Sequence, residues 1–167
     1  NTFPGWGMAG VTYYGGIVGT PPAIGESGIG HVRQVSFWAP NVGTPHAAKM
    51  VAAYRERFKG APDDYWFNGP LNVLELLAKA MEQAKSADPL PVARALENAK
   101  FVGDTGEVYM RPDNHQLIQP LFISTFAKAD GKAVKYDNDK TGFGFRIDRK
   151  VEAKDTVMPT VCKMERP

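Results

Sequence analysis

Cysteine is nearly missing from this chain: Cys162 is the single one in 167 residues, so no internal disulfide can staple the fold. Its thiol is either free or one half of a bridge to a segment outside this sequence. Histidine is scarce as well. His31, His46 and His115 are scattered, with no H-x-x-x-H spacing, so no metal and no cofactor are expected. No apolar run approaches the roughly 20 residues that span a bilayer. An excess of charge of one sign is also lacking, because the formal charge is +2 with Lys and Arg interleaved among Asp and Glu. No field therefore steers the chain onto nucleic acid, and no basic stripe with aromatics replaces it. Neither G-x-G-x-x-G nor a Walker-type G-K-[ST] occurs, which removes support for nucleotide binding. There is no initiator Met and no charged leader followed by an apolar run. The opening Asn1-Thr2-Phe3-Pro4-Gly5-Trp6 reads as the start of a processed or truncated polypeptide.

Catalytic constellations fail on their own geometry. Gly25-Glu26-Ser27-Gly28-Ile29 comes within one residue of the G-x-S-x-G elbow, but the last glycine is absent. Ser27 also ends a helix-like stretch instead of beginning one, so it reads as a helix-terminal hydroxyl. Asp63 and Asp64 are adjacent and point in different directions, a poor acid/base couple. Tyr65-Trp66-Phe67 behind them reads as an aromatic anchor for the loop before a helix. No enzyme is expected.

What remains is ordinary globular composition, 43% hydrophobic and 23% charged, enough for one well-buried domain or two small lobes. The most informative stretch runs from Tyr13 to Gly30. It joins two adjacent tyrosines to glycines that leave backbone amides bare, a combination suited to gripping a small ligand. Tyr13, Tyr14, Gly15 and Gly16, with Ile17 behind them, are the candidate ligand contacts.

Strands are expected at Val11 to Gly15 and His31 to Trp38, with a short helix at Pro21 to Ser27 between them. Thr44-Pro45 is a helix start, and Ala47, Val51, Tyr54 and Phe58 recur at helical spacing until Gly60. A second helix opens near Gly69-Pro70 with Leu71, Leu74, Leu77, Ala78 and Met81 on its apolar face. Asp88-Pro89 caps a third, through about Asn98, with Val92 and Leu96 inward. Strands return at Glu107 to Met110, Leu121 to Ala127 and Ala133 to Tyr136, the last two joined by the Asp130-Gly131 turn. Trp38 to Gly43 and Pro112 to Pro120 read as strand-to-helix crossings, and the tail from Val151 wraps the surface. The alternation predicts an α/β fold with a largely parallel sheet.

Taken in order, Thr12 to Trp38, Ala47 to Phe58, Asn72 to Ala84, Gly103 to Met110 and Asp113-Asn114-His115-Gln116-Leu117-Ile118-Gln119-Pro120-Leu121 resemble the second half of periplasmic solute-binding proteins of the branched-chain amino acid transporter type. The resemblance runs over about 155 residues, and the collinear succession of pieces carries it. It implies the C-terminal part of a two-lobed type I periplasmic binding fold, with mostly parallel sheets flanked by helices. Residues 1–39 would belong to the distal lobe, 40–120 return to the first lobe, and 121–167 cross back and end in the tail. Hinges would lie near Trp38 to Gly43 and Gln119 to Phe122.

The resemblance further implies capture of a small solute in an interlobe cleft and delivery to the membrane permease of an ABC importer, in the periplasm. The same fold also serves as a ligand-sensing receptor or regulatory domain. The acidic residue that holds a ligand ammonium in branched-chain binders would align near Tyr13 or Tyr14. Its loss favours an aromatic or neutral carboxylate compound over an ordinary α-amino acid. With the first lobe's sheet largely missing, apolar helix faces should seek the N-terminal half of the same protein or a second copy.

Overall fold

The computed structural model describes residues 10–12, 20–59, 68–97, 99–162 and 164–165. The chain divides into two compact units, one of Asn1–Trp66 with Leu121–Lys150 and one of Phe67–Pro120 with Val151–Pro167. The boundaries expected at 39/40 and 120/121 would separate lobes of a larger protein, whereas these units are compact pieces of this chain.

Unit 1 is built on a four-stranded sheet. β1 (Gly10–Thr12), β2 (Val32–Ser36), β6 (Leu121–Lys128) and β7 (Phe143–Val151) lie in that order. β1 and β2 are parallel, with Thr12 beside Gln34, and β6 runs antiparallel to β2, with Ser36 beside Phe122. Between β1 and β2 lie α1 (Thr20–Ile24) and a 3-10 turn (Glu26–Gly28), so the expected helix of Pro21 to Ser27 is broken at Gly25, where φ is +62°. Phe126 is fully buried and packs its ring against Phe143 and Phe145, with centroids at 5.6 and 5.4 Å.

α2 (Pro45–Arg57) follows β2 and is started as its sequence dictates. Thr44 Oγ1 accepts the Ala47 amide at 3.1 Å, and Pro45 takes the first turn, where its missing N–H costs nothing. Ala47 and Val51 are buried, while Phe58 at the helix end is 47% exposed and meets the Tyr54 ring at a tilt of 44°. The closing residue Gly60 and the Asp63 to Phe67 stretch lie outside the described residues.

Unit 2 pairs α3 (Asn68–Ala84) and α4 (Pro89–Leu96) with an antiparallel sheet of β3 (Lys100–Gly103), β4 (Gly106–Met110) and β5 (Leu117–Ile118). Its core joins Leu76, Phe101 and Val108, flanked by Leu96, Ala99 and Leu117. The apolar face expected of α3 is not the buried one. Leu76 and Ala80 point inward, whereas Leu74 is 59% exposed and Met81 and Ala78 lie on the outer side. Asp88 precedes α4 as expected, but its carboxylate accepts the Ser86 hydroxyl instead of a helix amide.

Three further expectations are corrected. The sheets are not largely parallel: among the registers described, β1–β2 is parallel and β2–β6, β3–β4 and β4–β5 are antiparallel. Asp104 and Thr105 alone separate β3 from β4, and a connection that short permits only a hairpin. Ala133 to Tyr136 forms no strand, and two of its amides are taken by side chains instead of a ladder. Asp130 Oδ1 accepts the amides of Lys132 and Val134, and Asn41 Oδ1 accepts that of Tyr136. The strand next to β6 is β7, after the expected Asp130-Gly131 turn. Pro112 to Pro120 leads to no helix either; it holds the β4–β5 turn and β5.

The tail is tied to that turn within unit 2. Arg111 pairs with Asp113 and donates to the Met158 carbonyl at 2.6 Å, and Asn114 Nδ2 reaches Thr160 Oγ1 at 3.2 Å. The Arg111 partnership holds the Asp113 carboxyl below the usual carboxylate range. Asp130 is lowered too, first by its hydrogen bond from the Val134 amide. A carboxylate whose pKa falls on folding stabilises above its unfolded pKa and loses that contribution as pH drops through the folded value. Asp130→Ala is therefore expected to weaken unit 1 near neutral pH and to match the parent in strong acid, as read by urea unfolding at both conditions.

Candidate functional site

Parallel pairing puts the carboxyl ends of β1 and β2 at one edge of the unit 1 sheet, and β6 begins at that same edge because it runs the other way. In open α/β sheets, ligands bind outside the carboxyl ends of the strands. Thr12 ends β1, and the candidate contacts Tyr13, Tyr14, Gly15, Gly16 and Ile17 follow it directly in sequence; all five lie outside the described residues. Beyond β2 the chain turns inward, with Trp38 and Ala39 buried.

Next to this edge in sequence, Pro40, Asn41 and the start of α2 line a cleft of about 220 Å³ with Lys132, Lys135 and Tyr136. Asn41 is its organiser. Its Nδ2 donates to the carbonyls of Tyr136 at 2.9 Å and Phe145 at 3.2 Å, and its Oδ1 accepts the Tyr136 amide at 2.9 Å. The Tyr136 ring takes cations from two directions, Arg55 at 5.9 Å and Lys135 at 5.4 Å. Arg55 is itself anchored on the carbonyl and carboxylate of Asp137. Replacing Asn41 by Ala removes three hydrogen bonds to backbone and is expected to cost about 2–3 kcal/mol of stability. Urea unfolding checks it.

Ser27 Oγ donates to the Ile24 carbonyl at 3.3 Å in an exposed turn, the role of a helix-terminal hydroxyl. His115 Nε2 lies 3.2 Å from Glu97 Oε1 within unit 2. Among the described residues no group of three or more His, Cys, Asp or Glu side chains is arranged to hold a metal. Cys162 is an exposed thiol. Sequence reasoning missed Asn41, Gln34 and Ser124. The available signal for Gln34 was its strand, Val32-Arg33-Gln34-Val35-Ser36, where polar residues occupy both Gln34 and Ser36 of one alternation.

A parallel strand pair with helix between its strands, extended by an antiparallel strand, makes a mixed α/β module. The family model described as periplasmic binding protein matches residues 5–132, and the chain belongs to that family. The family comprises solute-binding proteins, not enzymes, and implies a periplasmic or extracellular location. No helix among the described residues is long and apolar enough to cross a membrane. No match is found among curated proteins.

Solved structures share the type I periplasmic binding fold. The leucine-, isoleucine-, valine-, threonine- and alanine-binding protein of Brucella ovis, in its closed conformation, is 22% identical with a TM-score of 0.79 over 94% of this chain and 40% of its own. A solute-binding protein of an ABC transporter from Rhodopseudomonas palustris, in complex with 3,4-dihydroxybenzoic acid, is 20% identical with a TM-score of 0.62, over 79% of this chain and 34% of its own. A leucine-binding protein of Thermotoga maritima is 20% identical with a TM-score of 0.55, over 81% and 35%. The chain thus spans less than half the length of the structures it matches.

Proposed function

We propose that the chain is the C-terminal portion of a periplasmic solute-binding protein that serves an ABC importer. It captures an amino acid or an aromatic carboxylate between two lobes and hands it to a membrane permease. The family match carries this reading, because residues 5–132 include the whole Tyr13–Ile17 segment. Tyr13 and Tyr14 supply apolar rings with hydrogen-bonding tips, Gly15 and Gly16 let the main chain come close to the solute, and Ile17 adds an apolar side chain. No acid stands in Tyr13–Ile17 to meet an ammonium, and an unpaired ammonium is costly to bury. The aromatic carboxylate is therefore the favoured class, and a relative of the same fold holds such a compound.

The outer side of α3, with Val73 54% and Leu74 59% exposed, offers apolar surface to the N-terminal half of the parent protein or to a second copy. The test is mass spectrometry of small molecules released from the parent polypeptide, followed by titration of the compound found. Tyr13→Ala and Tyr14→Ala are expected to weaken its binding by roughly tenfold or more each, the scale of a lost aromatic contact. Unchanged affinity in both variants would remove these residues from the site, and release of no solute would count against capture itself.

A further inference from the structure

One face of the β2–β6 pair carries polar groups among apolar neighbours. Gln34 and Ser124 are register partners, and Ser36, two residues beyond Gln34, is paired with Phe122. Paired residues and residues two apart share a face, so the three stand together with Val32, Phe122 and Phe126. Their exposures are 3%, 8% and 0% for Gln34, Ser36 and Ser124. Gln34 Oε1, Ser36 Oγ and Ser124 Oγ nevertheless have no hydrogen-bond partner among the described residues. Each such orphan is paid for in full desolvation with nothing in return, and native folds retain few of them.

The donor and acceptor inventory defines the occupant. The glutamine oxygen accepts only, and each serine hydroxyl donates once and accepts twice. The set is uncharged, so it neither neutralises an ammonium nor balances a carboxylate. A small neutral group that both donates and accepts satisfies it. We propose that Gln34, Ser36 and Ser124 form a binding site for a hydroxyl, which donates to Gln34 Oε1 and accepts from the two serine hydroxyls.

Two sources carry this chemistry: an ordered water held in the core of unit 1, or the hydroxyl of a captured solute. The second rests on the solute-binding reading and the first does not. The site lies close to that reading's residues in the chain path, since Gln34 is the register partner of Thr12, the residue before Tyr13.

High-resolution crystal structures of the parent polypeptide alone, with 4-hydroxybenzoate and with benzoate test the proposal. A density peak within hydrogen-bonding distance of all three oxygens in the protein alone is expected. Its persistence with either compound bound in the cleft identifies water; its replacement by the phenol oxygen of 4-hydroxybenzoate, and not by benzoate, identifies the solute. Direct bonds among the three side chains with no peak between them overturn the proposal. In solution, Ser124→Ala is expected to lower the folded-to-unfolded ratio roughly tenfold, because the occupant loses a partner while Gln34 and Ser36 stay buried. A raised ratio is the result of a dry site and refutes it. Ser36→Ala, at the strand end, reads the same sign if Ser124→Ala does not fold.

Discussion

Leu76→Ala is expected to lower the unfolding free energy of unit 2 by about 3 kcal/mol, while Leu74→Ala shifts it by less than about 0.5 kcal/mol. The two leucines sit two positions apart on α3 and differ only in what they meet. Leu76 is 2% exposed and touches the cluster of Phe101 and Val108, with Leu96, Ala99 and Leu117 at its margin. Truncation there removes buried methyl groups and leaves a cavity that a helix and a sheet cannot both collapse into. Leu74 is mostly in water already, so its truncation gives up little. Chemical denaturation of both variants followed by circular dichroism decides it. Equal losses would mean that the helix is rotated about its axis from the orientation described.

Phe126→Ala is expected to be the most damaging single truncation in unit 1, at about 4 kcal/mol. Phe126 is fully buried on the central strand β6 and touches two rings of the neighbouring strand, Phe143 and Phe145. The loss therefore combines transfer of a large ring, the cavity it leaves and two aromatic contacts. Phe126→Leu should recover about half, because it refills most of the volume without the ring geometry. If unfolding of Phe126→Ala coincides with the parent in denaturant midpoint, the packing of β6 against β7 is not the core of this unit.

The sequence was most legible where a cap and a period agree. Thr44-Pro45 and the spacing of Ala47 and Val51 mark the start and the buried side of α2, and the structure has both. On α3 the period was readable but the phase was not. Leucines at 71, 74, 76 and 77 surround much of the helix, so composition alone does not choose which of them meets the β3–β4 hairpin. The missed strand at Phe143–Val151 has a similar origin: Arg146, Asp148, Arg149 and Lys150 give it the look of a solvated tail. Thr125 Oγ1 bonds Asp148, and Arg146 pairs with the same carboxylate, so this charged side is tied down strand to strand. The reverse error at Ala133 to Tyr136 came from side chains elsewhere. No local rule announces that Asn41, 95 residues upstream, takes the Tyr136 amide. For the candidate site, residue types in the Tyr13–Ile17 segment pointed to ligand contact, whereas the buried polar row of Gln34, Ser36 and Ser124 needs the β2–β6 register to be seen at all.

That register also governs the order in which the molecule can form. Arg33 of β2 pairs with Thr125 of β6, about ninety residues later in synthesis. The β3–β4 hairpin closes across two residues, and α3 lies close to α4 in the chain, so local closure favours unit 2. β2 must instead wait, one edge unmatched, until the ribosome has delivered β6. A segment rich in Val, Phe and Trp is thereby held open during translation, and a holdase that shields it until β6 emerges would raise the yield of native chains.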